Sequence, residues 1–408
     1  MKQFSIPTEY RSQLISSIKK NRREADKQKK DFTPSILDFG VFEIYLARHF
    51  GFCYGVENAI EIAFKTVEEN PDKRIFLLSE MIHNPFVNDD LTQRGVQFLM
   101  DTHGNQLIPF ESLTAEDIVM IPAFGTTIPI ENTLKSIGIQ IEKYNTTCPF
   151  VEKVWNRAEQ IAEKGYSIVV HGKPSHEETK ATFSHSQSHT PTLVLNDMTE
   201  AIMLGEFILG NKNEIEFYTY FNGRMSEAFD LDRDLAKFGV VNQTTMLATD
   251  TQEIADYLKS IMVKKYNLGD LEIATRFADT RDTLCYATND NQTAVRNLLQ
   301  HKADLAIVIG GRKSSNSSHL VELCEHELPT YFIQSEEDLL SDQDVKGYNW
   351  KTKQEYIQHN YLPQTGKTRI LITSGASCPD AIVEAAIEKI STFFKGAKPM
   401  NEVKSAWH

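Results

Sequence analysis

From Phe42 onward, short apolar runs alternate with stretches whose apolar residues recur at helical spacing. The runs Arg74–Leu78, Ile118–Ile121, Ser167–Val170, Leu305–Ile309 and Arg369–Thr373 are apolar at successive positions rather than alternate ones. A strand of that kind buries both faces, as strands of parallel sheets do when crossover helices cover them. The alternation predicts βα units and an α/β fold. Residues 1–42 are polar, with a basic stretch from Lys19 to Lys30, and read as an appended N-terminal extension whose basic part is a solvated surface helix.

Three of the five cysteines stand between a strand-like run and a helix-like stretch: Cys53 in Phe-Gly-Phe-Cys-Tyr-Gly, Cys148 in Asn-Thr-Thr-Cys-Pro-Phe, and Cys285 in Asp-Thr-Leu-Cys-Tyr-Ala-Thr. The next strand leads to His83, His176 and Ser314 respectively, at spacings of 30, 28 and 29 residues. Each unit closes with a further strand and a small polar loop: Ala-Phe-Gly-Thr-Thr from Ala123, Asn-Gln-Thr-Thr from Asn242, and Ser-Gly-Ala-Ser-Cys-Pro from Ser374. The order predicts three related α/β modules with parallel sheets, at 43–147, 148–284 and 285–396, and a C-terminal tail at 397–408. Ligands of parallel α/β sheets bind where loops leave the carboxyl ends of strands. Those loops enter helix N-termini, which favour anions and thiolates.

Composition narrows the setting. The chain has 408 residues, 41% hydrophobic and 24% charged, as in ordinary globular proteins. A net charge of −13 argues against general affinity for nucleic acid or anionic membrane. Neither a secretory signal nor a membrane-spanning run is expected. Five cysteines without an export signal point to a reducing, cytoplasmic setting rather than a disulfide framework.

The motifs differ in weight. An isolated cysteine is more often core filler than ligand, but cysteines at equivalent points of three repeats are better read as ligands. Three soft thiolates suit zinc or an iron–sulfur group, and three ligands rather than four leave a coordination position open. Cys324 lies within a helical pattern and Cys378 at a helix start, where packing is expected. In the loop His171–Thr182, His176, Glu177 and Glu178 open a helix; a zincin would need a second histidine where Lys180 stands. Ser314-Ser315-Asn316-Ser317 carries more hydrogen-bonding groups than a helix cap needs and would suit a phosphate or diphosphate. No Gly-x-Gly-x-x-Gly occurs, so a dinucleotide site has no support.

In this order, Gly-Phe-Cys-x-Gly-Val at Cys53, His83-Asn84, Thr-Cys-Pro at Cys148, His176-x-Glu178, Asn-Gln-Thr-Thr at Thr244, Ser-Ser-Asn-Ser at Ser314 and Ser-Gly-Ala-Ser at Ser377 resemble the 4-hydroxy-3-methylbut-2-enyl diphosphate reductases of the non-mevalonate isoprenoid pathway. The resemblance runs from about Phe42 to about Ile390. It implies three α/β modules in pseudo-threefold array around a 4Fe-4S cluster held by Cys53, Cys148 and Cys285, with one iron open to the substrate. It further implies that His83, His176, Ser314, Asn316 and Ser377 hold the diphosphate, with Ser315 nearby. Thr244 and Glu178 would supply protons, and the products would be isopentenyl and dimethylallyl diphosphates.

One position departs from the better-known bacterial pattern, where a diphosphate-contacting histidine stands in the loop occupied here by Ala123-Phe124-Gly125-Thr126. Phe124, the extension and a segment near 340–365 resemble the cyanobacterial and plastid branch. That branch implies ferredoxin, or flavodoxin, as electron donor, a cytoplasmic or plastid-stromal location, and a monomer or homodimer. The rival readings are a zinc hydrolase using Glu178 as base and a diphosphate-binding protein without redox chemistry.

Overall fold

Each of the five apolar runs forms a buried strand in the computed structural model, which describes residues 4–28, 30–278, 283, 285–363 and 366–407. Positions 29, in the basic stretch, and 284, an expected module boundary, lie outside the described residues. The chain divides into two compact units. The first comprises Met1–Glu57, His83–Asn88 and Tyr286–His408; the second comprises Asn58–Ile82 and Asp89–Cys285.

The first unit holds a five-stranded sheet in the order Ser35–Asp38, Phe42–Leu46, Thr368–Ser374, Leu305–Ile309, Thr330–Ile333. Every neighbouring pair is parallel except the first. Leu305–Ile309 is buried along its whole length, as a central strand covered on both faces must be. Ser35–Asp38, at the edge of the sheet, alternates buried and exposed residues, so one of its faces is covered and the other is open to solvent. The segment near 340–365 contains an antiparallel hairpin, Asp344–Asn349 with Gln354–His359.

The second unit holds two parallel sheets. One runs Gln97–Phe98, Ile75–Leu77, Ile118–Met120; the other runs Thr192–Leu195, Ser167–His171, Phe238–Asn242, Phe277–Ala278. The three sheets share one order: second strand, first strand, third strand, then the segment that leads to a cysteine. That last place is taken by Phe277–Ala278 before Cys285, by Asn145, bridged in parallel to Ile121, before Cys148, and by Phe42–Leu46 before Cys53.

The repeat is therefore cyclically permuted relative to the sequence reading. Phe42–Leu46, placed at the head of the module 43–147, pairs instead with Thr368–Ser374 and completes the sheet of the third module. The polar extension also differs from its reading as an appendage. Ser12 caps the helix Gln13–Ala25 by accepting the Ile15 N–H at 2.9 Å, and Leu14, Ile15 and Ile18 enter the core of the first unit. Burial of such side chains stabilises by roughly 1.5–3 kcal/mol each. No helix among the described residues is long and apolar enough to cross a membrane.

Candidate functional site

Each cysteine of the repeat immediately precedes a helix: Tyr54–Glu69 after Cys53, Pro149–Ala162 after Cys148, and Tyr286–Leu298 after Cys285. In the first unit the Cys53 N–H donates to the Ala376 carbonyl at 3.1 Å. The Ala376 N–H in turn donates to Asn316 Oδ1 at 2.9 Å. A single residue of the loop after Thr368–Ser374 thus ties the cysteine loop to the start of the helix Ser315–Glu325. In the second unit the Cys148 N–H donates to the Ala123 carbonyl at 3.0 Å, and Pro149 supplies the preset φ of a first helical turn. Thr283, two residues before Cys285, donates to Asn242 Oδ1 at 2.5 Å, fixing that approach to the end of Phe238–Asn242.

No disulfide joins cysteines among the described residues. Cys324 and Cys378 are fully buried, and burial above all pushes both thiols up to about 12, with Glu325 and Asp380 adding to the effect. They are core side chains with little thiolate character. Among the described residues no three His, Cys, Asp or Glu side chains stand together in a group that could hold a metal ion.

The first unit gathers polar groups that have no use inside a core. Ser314 caps its helix by accepting the Ser317 N–H at 3.2 Å, as the sequence anticipates. Beyond the cap, Ser315 Oγ, Asn316 Nδ2, Ser317 Oγ, Ser374 Oγ and Ser377 Oγ are buried and have no hydrogen-bond partner among the described residues. Leaving one buried polar group unsatisfied costs about 1–3 kcal/mol, so five together at a helix N-terminus and its facing loop mark a ligand subsite. The glycines explain how the loops close so tightly. A Cβ on Gly375 would lie 2.0 Å from Ser317 Oγ, and one on Gly311 would lie 1.9 Å from the His83 carbonyl oxygen. His83 is itself buried, and its carbonyl lies against Gly311, three residues before Ser314.

The second unit supplies a carboxyl group and its orienters. His176 caps the helix Glu177–Gln187, its Nδ1 accepting the Glu178 N–H at 3.1 Å. An acceptor Nδ1 leaves the ring proton on Nε2. The Phe124 ring meets the His176 ring edge to face, with centroids 5.6 Å apart. Glu178 is almost completely buried and accepts the Thr244 N–H at 2.5 Å, with the Thr244 hydroxyl also bonded to it. Burial raises its carboxyl from 4.5 to about 7 and outweighs the two Thr244 hydrogen bonds, which lower it. Glu177 points elsewhere and accepts from the Ser79 hydroxyl. Gln243 braces the loop before His176, its Oε1 accepting the Lys173 N–H at 3.1 Å and the Thr179 hydroxyl at 3.0 Å.

The first unit brings together Cys53, His83, Ser314, Ser315, Asn316 and Ser377; the second holds Cys148, His176, Glu178, Thr244 and Cys285. Ser317, Ser374 and Gln243 were not singled out from sequence. Ser317 and Ser374 both lie in motifs already read, Ser374 as the first residue of the polar loop Ser-Gly-Ala-Ser-Cys-Pro, but nothing in either motif sets that hydroxyl apart from its neighbours.

Parallel sheets, helix-start loops with unpaired donors and a buried acid titrating near neutrality define an α/β enzyme for an anionic, phosphate-like substrate. The model of the LytB protein family matches residues 44–391, and the chain belongs to that family. It is 38% identical over 387 residues to the 4-hydroxy-3-methylbut-2-enyl diphosphate reductase of Crocosphaera subtropica, across 95% of this chain and 90% of that protein. Identity to the enzyme of the same name from a Picosynechococcus species is 38% over 395 residues, across 97% and 92%. The fold is similar to that of the E-1-hydroxy-2-methyl-but-2-enyl-4-diphosphate reductase from Plasmodium falciparum, with a TM-score of 0.61, 22% identity, and coverage of 86% of this chain and 87% of that one.

Proposed function

We propose that the chain reduces 4-hydroxy-3-methylbut-2-enyl diphosphate to isopentenyl and dimethylallyl diphosphates, the last step of the non-mevalonate isoprenoid pathway. Two electrons and two protons enter, the carbon–oxygen bond breaks, and the hydroxyl leaves as water. The observation that carries this reading is the set of buried, unpartnered polar groups around Ser315, Asn316, Ser317, Ser374 and Ser377. They are sited to receive the oxygens of a diphosphate, with His83 beside them in the same unit.

Cys53, Cys148 and Cys285 suit a 4Fe-4S cluster, being soft sulfur ligands at helix starts, whereas Cys324 and Cys378 are locked in the core. Bound there, the cluster supplies electrons and an open coordination position. The chain's own groups do the rest. His176 offers its Nε2 proton to the substrate, and Phe124 braces its ring. Glu178, protonated near neutral pH, is the general acid for the departing hydroxyl, and Thr244 fixes the carboxyl that gives up the proton. The electron donor in this reading is an external carrier, ferredoxin or flavodoxin, since the sequence has no dinucleotide fingerprint. A cytoplasmic or stromal location, where thiols stay reduced, suits it.

The reading is tested by anaerobic incubation of the protein with the substrate and a chemical reductant, followed by chromatography of the dephosphorylated products. Both prenyl alcohols are expected in cluster-loaded samples. Unchanged substrate would overturn the reading.

A further inference from the structure

We propose that a basic cleft beside Cys53 is the docking site for an acidic electron carrier. The proposal rests on the reductase reading and names where its electrons enter. The cleft, about 660 Å³, is lined wholly by residues of the first unit, including Cys53 and the cations Arg11, Lys20, Arg23 and Arg48.

Its charge is uneven. Of the carboxylates lining it, Asp380 is occupied by both hydrogen bonds of Lys19, at 2.7 and 3.0 Å. Burial holds the Glu57 carboxyl above its ordinary range, and Asp290 is the remaining acid. On the other side, Lys20 and Arg23 have no carboxylate partner among the described residues, and both are exposed on the helix Gln13–Ala25. Arg48 is buried, donates to the Arg22 carbonyl at 3.3 Å, and leaves its Nε unpartnered. Asp26, Asp31 and Arg22 are the other charges that act on it. Cations gathered this way repel one another, and in a chain of net charge −13 they stand out as a local positive field.

A field of that kind steers an acidic partner and orients it. The cleft has Cys53 on its wall, so a carrier seated there comes close to a proposed cluster ligand. Its exposed cations are ranged along a helix face at the surface, which fits a protein partner better than a small anion enclosed by the cleft. Tyr10 against Phe52 and Phe4 against Tyr54 give the Cys53 loop apolar walls on the same side, with centroids 6.0 and 4.9 Å apart.

The test uses the cluster-loaded full chain and its double variant Lys20→Glu, Arg23→Glu, whose exposed positions leave the core untouched. Binding of a plant-type ferredoxin is measured by calorimetry at low and high salt. Turnover is measured with reduced ferredoxin and, separately, with reduced methyl viologen. The variant should bind ferredoxin roughly tenfold or more weakly, with a flatter salt dependence, and keep its methyl viologen turnover. Unchanged ferredoxin affinity would overturn the proposal, as would an equal loss of turnover with both reductants. Binding of inorganic diphosphate in the cleft, with ferredoxin affinity indifferent to the charge reversal, would identify a small-anion site instead. Failure of the reductase reading shows separately, as wild-type protein that reduces no substrate with methyl viologen.

Discussion

The Glu178 carboxylate accepts the backbone N–H of Thr244 at 2.5 Å, joining residues 66 apart in the chain. The bond anchors the acid to the loop after Phe238–Asn242, so its position does not depend on its own helix alone. Glu178→Gln keeps the size and can still accept from Thr244, but it cannot give up a proton. Turnover should fall by roughly 10²–10⁴ while substrate binding and iron content persist. Glu177, bonded to Ser79, should tolerate the same change far better. Near wild-type turnover in Glu178→Gln would remove the acid from the mechanism.

The same carboxyl makes two pH predictions. Raised by burial from 4.5 to about 7, it binds its proton more tightly in the folded chain than in the unfolded one. The stability tied to that proton is complete below pH 4.5 and is lost as pH rises through about 7. Glu178→Gln has no such proton to lose. Its Tm should gain on that of the wild type between about pH 5 and about pH 8, and a constant difference would mean that Glu178 does not titrate there. Wild-type turnover should likewise decline above about 7, as the acid loses its proton.

The Phe124 ring is an apolar brace on the His176 ring. An edge-to-face aromatic pair is worth about 0.5–1.5 kcal/mol, which corresponds to a change of up to roughly tenfold in binding. Phe124→Ala should therefore raise KM by up to about that factor with a smaller effect on kcat, and Phe124→Leu should recover part of it. Steady-state kinetics with a chemical reductant separates the two. A loss confined to kcat would place Phe124 in the chemistry rather than in positioning.

The sequence made the local pieces legible. Runs such as Leu305–Ile309, apolar at every position, could only be buried strands, and the recurrence of a cysteine before each helix exposed the repeat. What it could not show was pairing between distant segments. The strand Phe42–Leu46 alternates buried Phe42, Ile44 and Leu46 with half-buried Glu43 and Tyr45, a pattern that shows which face is covered but not which strand lies alongside, so its pairing with Thr368–Ser374 stayed hidden. The helix Gln13–Ala25 was masked by its charges. Only Leu14, Ile15 and Ile18 form its buried stripe, within a stretch that otherwise reads as solvated. The cleft beside Cys53 follows from that packing and was equally out of reach.

Gly51 tests the grip of this N-terminal helix on the Cys53 loop. Its φ is +76°, and a Cβ there would lie 2.4 Å from Asp380 Oδ1 and 3.0 Å from Lys19 Nζ. Gly51→Ala should cost on the order of 1–3 kcal/mol through backbone strain and displacement of the ion pair. The midpoint of denaturant unfolding measures it. In apo protein, the variant's Cys53 should also react faster with a thiol-alkylating reagent. Wild-type stability and reactivity would mean that the loop holds its shape without that contact.

The cysteines bear most directly on the central claim, that Cys53, Cys148 and Cys285 hold an iron–sulfur cluster on which reduction depends. The decisive measurement is the visible absorption of anaerobically purified wild-type protein beside Cys53→Ser, Cys148→Ser, Cys285→Ser and Cys378→Ser. Wild type and Cys378→Ser should be brown and bleach in air, whereas the other three should be colourless, because a hydroxyl is a poor soft-metal ligand. A colourless wild-type protein carrying zinc, or a Cys378→Ser variant that loses its colour, would contradict the account.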